Sequence, residues 1–204
     1  MLLNLKKVMD DIEKELDEKD QIRELALKIS REIVRNSSAL IASINRGEKE
    51  KKIVQSVREL KSKVLELHTL VDEHQDIYNS GFVEDALQEY VEALLLRSAV
   101  LGKQLPGHAQ LRVSASVYVM GLSDLIGEFR RIALKLIMDG KLKEAEKWVR
   151  EMEELYEAIM KLHYPSSLVN VRKKQDTARS LLDRTLGELT TALAVSKGIR
   201  RASK

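Results

Sequence analysis

Apolar residues recur along this chain at spacings of three and four and hardly anywhere alternate, which is the pattern of amphipathic helices rather than strands. Ile22, Leu25, Ala26, Ile29, Ile33, Leu40 and Ile44 form a first stripe after an acidic lead-in, and Asn45 to Gly47 reads as its end. A second helix is expected over residues 48–71. Asn79-Ser80-Gly81 then breaks the chain before a strongly apolar helix over 82–101, which Leu105-Pro106-Gly107 terminates. A long helix is expected over 110–138, stopped at Asp139-Gly140. Residues 141–162 place Leu142, Ala145, Val149, Met152, Tyr156 and Ile159 on one seam suited to a neighbouring helix. After Tyr164-Pro165, with Ser166 or Ser167 as cap, a last helix carries Ala178, Leu182, Leu186, Leu189 and Leu193 on one face. Residues 198–204 read as a frayed tail.

The expectation is an all-α antiparallel bundle of about six or seven helices. A chain of 204 residues that is 44% hydrophobic suits a single domain over 1–204. With only two prolines and nine glycines, little else interrupts the helical pattern. Cysteine is absent, which excludes disulfides, thiolate nucleophiles and cysteine-ligated metals and suits a reducing cytosol. No apolar run approaches the roughly 18 residues a membrane span needs, and Lys6 and Lys7 lead into acids rather than into a signal-peptide core. A soluble, cytoplasmic protein is expected.

Net charge is only +3, so distribution matters more than total. Residues 1–20 hold 4 basic and 7 acidic side chains, whereas residues 165–204 hold 9 basic and 3 acidic ones. A cationic C-terminal segment attracts phosphate.

The acids that a surface face explains least lie on two of the helices. Asp85, Glu89 and Glu92 share one narrow stripe, and from Glu84 to Glu92 there are four acids and no base, so like charges repel. Asp124 and Glu128, four apart, repeat the pattern among small and apolar neighbours. Spacing leaves two accounts open. In one, Glu89, Glu92, Asp124 and Glu128 share one or two hard divalent cations, magnesium or manganese, whose charge removes the repulsion. In the other they are solvated surface acids, with Glu128 paired to Arg131.

Gln88-Glu89-Tyr90-Val91-Glu92-Ala93 and Gly121-Leu122-Ser123-Asp124-Leu125-Ile126-Gly127-Glu128 resemble the two signature segments of translin-associated factor X (TRAX), the catalytic side of the translin family. Ile22-Arg23-Glu24 with Ser30-Arg31-Glu32-Ile33 is similar to that family's opening helix, and Asn170-Val171-Arg172-Lys173-Lys174-Gln175-Asp176 to its final one. The resemblance covers roughly residues 22–188 in consistent order. Translin-type subunits bind nucleic acid and have histidine and arginine where this chain has Glu89 and Glu92. The resemblance therefore implies the nuclease role, with Glu89, Glu92 and Asp124 matching the nuclease residues and Glu128 the adjacent family acid. It further implies a hollow homo-oligomer, an octamer, which a second translin-like chain could join.

The function expected on this ground is endonucleolytic hydrolysis of RNA, single-stranded or duplex, by water that Mg2+ or Mn2+ activates on those four acids. Single-stranded DNA is a further expected ligand. Arg97 lies a turn or so beyond Glu92, while Arg131 and Lys135 continue the stripe of Asp124 and Glu128, so these three are candidate phosphate contacts. Surface charge is their alternative reading, and more so for Lys51, Lys52, Arg58, Lys61 and Lys63. Only 4% of residues are aromatic, which favours backbone and shape recognition over base stacking. His68, His74, His108 and His163 make no zinc-hydrolase pair and read as structural, His163 packed beside Ile159. No phosphate loop is present. Two alternatives differ in chemistry: a non-catalytic translin-like RNA binder, and an all-helical nucleoside triphosphate pyrophosphohydrolase, whose second acidic pair is usually spaced by three rather than four.

Overall fold

The structure, a computed structural model, describes residues 4–202, with side chains through residue 198. Among the described residues it holds eight helices and no strand: α1 (Leu5–Asn45), α2 (Glu50–Val71), α3 (Gln75–Tyr78), α4 (Gly81–Val100), α5 (His108–Leu111), α6 (Ala115–Met138), α7 (Leu142–Met160) and α8 (Arg172–Ala202). Six are long and two are single turns, so the all-α expectation holds. None of these helices is long and apolar enough to cross a membrane. Contacts divide the chain into two compact units, Met1–Tyr90 and Val91–Lys204, and the division falls inside α4.

In the first unit α1 packs on α2 as a helical hairpin. Ala26, Ile29, Ile33, Leu40 and Ile44 of α1 are buried, as are Ile53, Val57, Leu60, Val64, Leu67 and Val71 of α2, each set at three- and four-residue spacing. Gly47 makes the reversal possible: its φ of +68° is a conformation that side chains disfavour. The Gly47 and Glu48 amides donate to the Ile44 and Ser43 carbonyls, closing α1. Two expectations need correction here. The acidic lead-in is itself helical, since α1 starts at Leu5, and Leu25 faces solvent because the stripe that α2 covers is narrower than the apolar pattern.

The second unit is built on α6, α7 and α8, each packed on the other two. The helix expected over 110–138 is broken. Arg112 adopts a left-handed conformation (φ 56°) that ends α5, and the Ser114 side chain accepts from the Val117 amide to start α6 afresh. Ala145, Val149, Met152, Leu155 and Ile159 of α7 are buried within the chain itself, so that seam is spent internally. Neither Ser166 nor Ser167 begins α8, which runs from Arg172 to Ala202. His163 is exposed rather than packed, because α7 ends at Met160 and turns it outward.

Helix α4 is apolar on almost every side: Val83, Ala86, Leu87, Tyr90, Val91, Ala93, Leu94, Leu95 and Leu96 are all buried. A helix that is hydrophobic all round belongs in an interior. Charged residues on it are therefore conspicuous.

Candidate functional site

Helix α4 carries Glu89 and Glu92 one turn apart, and the two differ in setting. Glu89 is half-buried, whereas Glu92 is buried, with 9% of its surface exposed. Helix α6 carries Asp124 and Glu128, again one turn apart. Asp124 is half-buried and Glu128 is buried at 7%. Carboxylates rarely lie this deep without a charge or hydrogen-bond donor to offset lost hydration. The Arg131 guanidinium supplies one, 3.4 Å from Glu128. That is the pair the acidic-face account expects, yet Glu128 is not solvated.

Asp124 is held from another helix. The Lys174 ammonium of α8 donates to Asp124 Oδ1, and both side chains are mostly shielded from water. Lys174 is placed by its neighbour: Gln175 Nε2 donates to the Ile159 and Leu162 carbonyls, each at 3.0 Å, tying the start of α8 to the last turn of α7 and the residues just past it. A second link joins the same two helices. Arg130 donates to both carboxylate oxygens of Glu188 at 2.8 and 2.9 Å and to the buried Thr185 hydroxyl at 2.7 Å. The repulsion along the acidic stripe of α6 is thus relieved by cations of α6 and α8.

Lys174 and Arg130 escape a reading of acids alone. Lys174 was nevertheless legible, standing four residues before Ala178 and eight before Leu182, both buried, so it occupies the inward face of α8. Of the basic candidates, Arg97 is half-buried on α4, and Arg131 and Lys135 are exposed on α6 in phase with Asp124 and Glu128.

In donor type the four acids suit a hard divalent cation, since all offer carboxylate oxygen. Their arrangement does not form a finished cage. Among the described residues no three Asp, Glu, His or Cys side chains gather closely enough to hold a metal ion. Lys174 supplies positive charge at Asp124 instead.

Comparison with known proteins shows where this arrangement belongs. The chain is 33% identical to an uncharacterised protein of Methanocaldococcus jannaschii over 177 residues, which is 86% of this chain and 78% of that one. The structure matches that of apo-NeC3PO with a TM-score of 0.82 at 23% identity, covering 94% of this chain and 98% of the other. It also matches AfC3PO in complex with duplex RNA, with a TM-score of 0.78 at 31% identity over 92% and 97% of the two chains. A crystal structure of AfC3PO gives a TM-score of 0.77 at 30% identity over the same shares. The family model described as "Translin family" matches residues 17–185, most of both units, and this chain belongs to the translin family.

Proposed function

We propose that this chain is a metal-dependent endoribonuclease of the TRAX-like type, acting in the cytoplasm on single-stranded or duplex RNA as a closed homo-oligomer. The observation that carries the reading is the burial of Glu92 and Glu128 on two different helices in a translin-family chain. Apolar packing alone does not call for two buried carboxylates, and a divalent cation would offset their charge. The likeness to AfC3PO, which has been solved in complex with duplex RNA, supports RNA as the ligand.

In this proposal Glu89, Glu92 and Asp124 would hold Mg2+ or Mn2+, and Glu128 would complete the set or orient water. The cation, when bound, lowers the pKa of water and offsets charge on the phosphoryl oxygens. The chain's own groups do the rest. Arg131 and Lys135, exposed on α6 in phase with the acids, hold RNA phosphates, and Arg97 assists from α4. Lys174 orients Asp124 in the metal-free protein and would yield the carboxylate to a bound cation.

A non-catalytic, translin-like RNA binder is the second reading, favoured by the Lys174–Asp124 pair and by the lack of a three-acid cluster among the described residues. Incubating labelled single-stranded and duplex RNA with the protein, with and without magnesium and alongside free nucleoside triphosphates, separates the two. Magnesium-dependent RNA fragments support the nuclease. RNA bound intact under both conditions supports the binder.

A further inference from the structure

The first four turns of α1 carry an exposed apolar stripe. Leu5, Met9, Ile12 and Leu16 are 47%, 49%, 43% and 59% exposed, and Val8 flanks them at 43%. These positions belong to one face, separated by four, three and four residues. Counted onward in sevens, Leu5 and Ile12 lead through Lys19 to Ala26, Ile33 and Leu40, while Met9 and Leu16 lead through Arg23 to Ser30, Ser37 and Ile44. All six of those are buried in the α1–α2 hairpin. The stripe is therefore the core-facing side of α1 carried past the end of its partner helix, since α2 stops at Val71. Lys19 pairs with Asp76 of α3, and N-terminal to that point Leu5, Met9, Ile12 and Leu16 stay exposed.

We infer that a second copy of this chain covers the stripe, with the two arms packed antiparallel. Charge selects both the occupant and the direction. Lys6 and Lys7 occupy the start of the arm, and Asp10, Asp11, Glu13, Glu15, Asp17 and Glu18 follow, so the arm is basic at one end and acidic along the rest. Lys14 is already engaged with Glu18 at 3.9 Å. Parallel arms would set Lys6 and Lys7 against their own counterparts and the acids against acids. Antiparallel arms centred between residues 10 and 11 set Leu5 on Leu16, Met9 on Ile12, and Lys6 on the same flank as the other copy's Glu13 and Asp17. The same patch on both copies makes the contact self-complementary, as a two-fold interface requires. Four turns of helix are too short to pair alone, so the arms add to an assembly rather than create one. The inference rests on the oligomeric part of the proposed function and not on catalysis.

The absence of cysteine permits a direct test by disulfide trapping. Leu5→Cys and Leu16→Cys chains are prepared separately, mixed, oxidised and resolved on non-reducing gels, and the wild-type mass is measured by light scattering. Antiparallel arms give a strong dimer band only in the mixture. Neither single variant should cross-link itself, because like positions lie about 16 Å apart along the pair, too far for a disulfide. Self-cross-linking by Leu5→Cys alone would overturn the antiparallel direction. No cross-link in a wild-type oligomer would overturn arm pairing and assign the stripe to a different chain, leaving the oligomer intact. A wild-type mass of 23.2 kDa would remove the oligomer and the pairing with it.

Discussion

Lys174 on α8 donates its ammonium to the Asp124 carboxylate on α6, so the acid that the resemblance marks as a nuclease residue is tied to a cation fifty positions further along the chain. The pair lies about a quarter exposed on each side, at 23% and 27%, which places it between a screened surface pair and a buried one. Removing Lys174 as Lys174→Met should cost about 1 kcal/mol in the metal-free protein. Magnesium should then raise the melting temperature of Lys174→Met more than that of wild type, because the cation no longer competes with an ammonium. Equal magnesium responses in the two proteins would show that Lys174 does not guard the site.

Arg130 tests the scaffold apart from the chemistry. Its planar fork meets both oxygens of Glu188 and also the Thr185 hydroxyl, a geometry that lysine cannot reproduce. Arg130→Lys should therefore destabilise the second unit by about 1–2 kcal/mol in urea unfolding, with Thr185→Val showing a smaller loss. A neutral Arg130→Lys would mean that the latch between α6 and α8 is held by apolar packing alone.

The pH limits follow from shifted groups. Hydrogen bonding from Lys63 lowers Glu32, bonding from Lys52 and then Arg46 lowers Glu48, and bonding from Lys19 lowers Asp76, from ordinary values of 4.5, 4.5 and 3.8. A depressed folded pKa gives stability that is present above the unfolded value and lost as pH falls through the folded one. All three acids lie in the first unit, so α1 and α2 should loosen on acidification below about pH 4. At the alkaline end, burial pushes Tyr90 up to about 12 from 10.0. Its contribution is complete below pH 10 and declines between about pH 10 and 12. Ultraviolet titration should show a late-ionising tyrosine that Tyr90→Phe removes.

How much of this was legible in advance depends on the range of the interaction. Buried stripes such as Ile33, Leu40 and Ile44, or Ala145, Val149 and Met152, follow from periodicity because a helix face is set by local spacing. The break at Arg112 was hidden, since Gly and Asn are the usual signals of a left-handed turn and arginine is not. Among the acids, spacing could place Asp124 and Glu128 on one face but could not tell that Glu128 would be buried or that Lys174 would reach Asp124. Both depend on which helix comes to lie alongside, and α8 is seated by Gln175 on the end of α7, a tertiary contact with no local pattern.

For RNA, phosphate contacts through exposed cations predict affinity that falls steeply with salt and varies little with base sequence. Arg131→Ala should weaken all RNAs alike and flatten the slope of log affinity against log salt by about one. It also removes a cation paired with Glu128, so binding should be compared at equal folded fraction. Strong preference for one short sequence would contradict backbone recognition.

The central claim is that the buried acids perform catalysis, and the most direct measurement compares wild type with Glu92→Gln and Asp124→Asn in a magnesium titration of RNA cleavage and RNA binding. The account predicts that wild type cuts RNA only with magnesium or manganese and that both variants remain folded and still bind RNA. It predicts that their cleavage falls by at least about a hundredfold, the order expected when a metal that activates water loses a ligand. Cleavage at the wild-type rate by both variants, or by wild type in excess chelator, would contradict it.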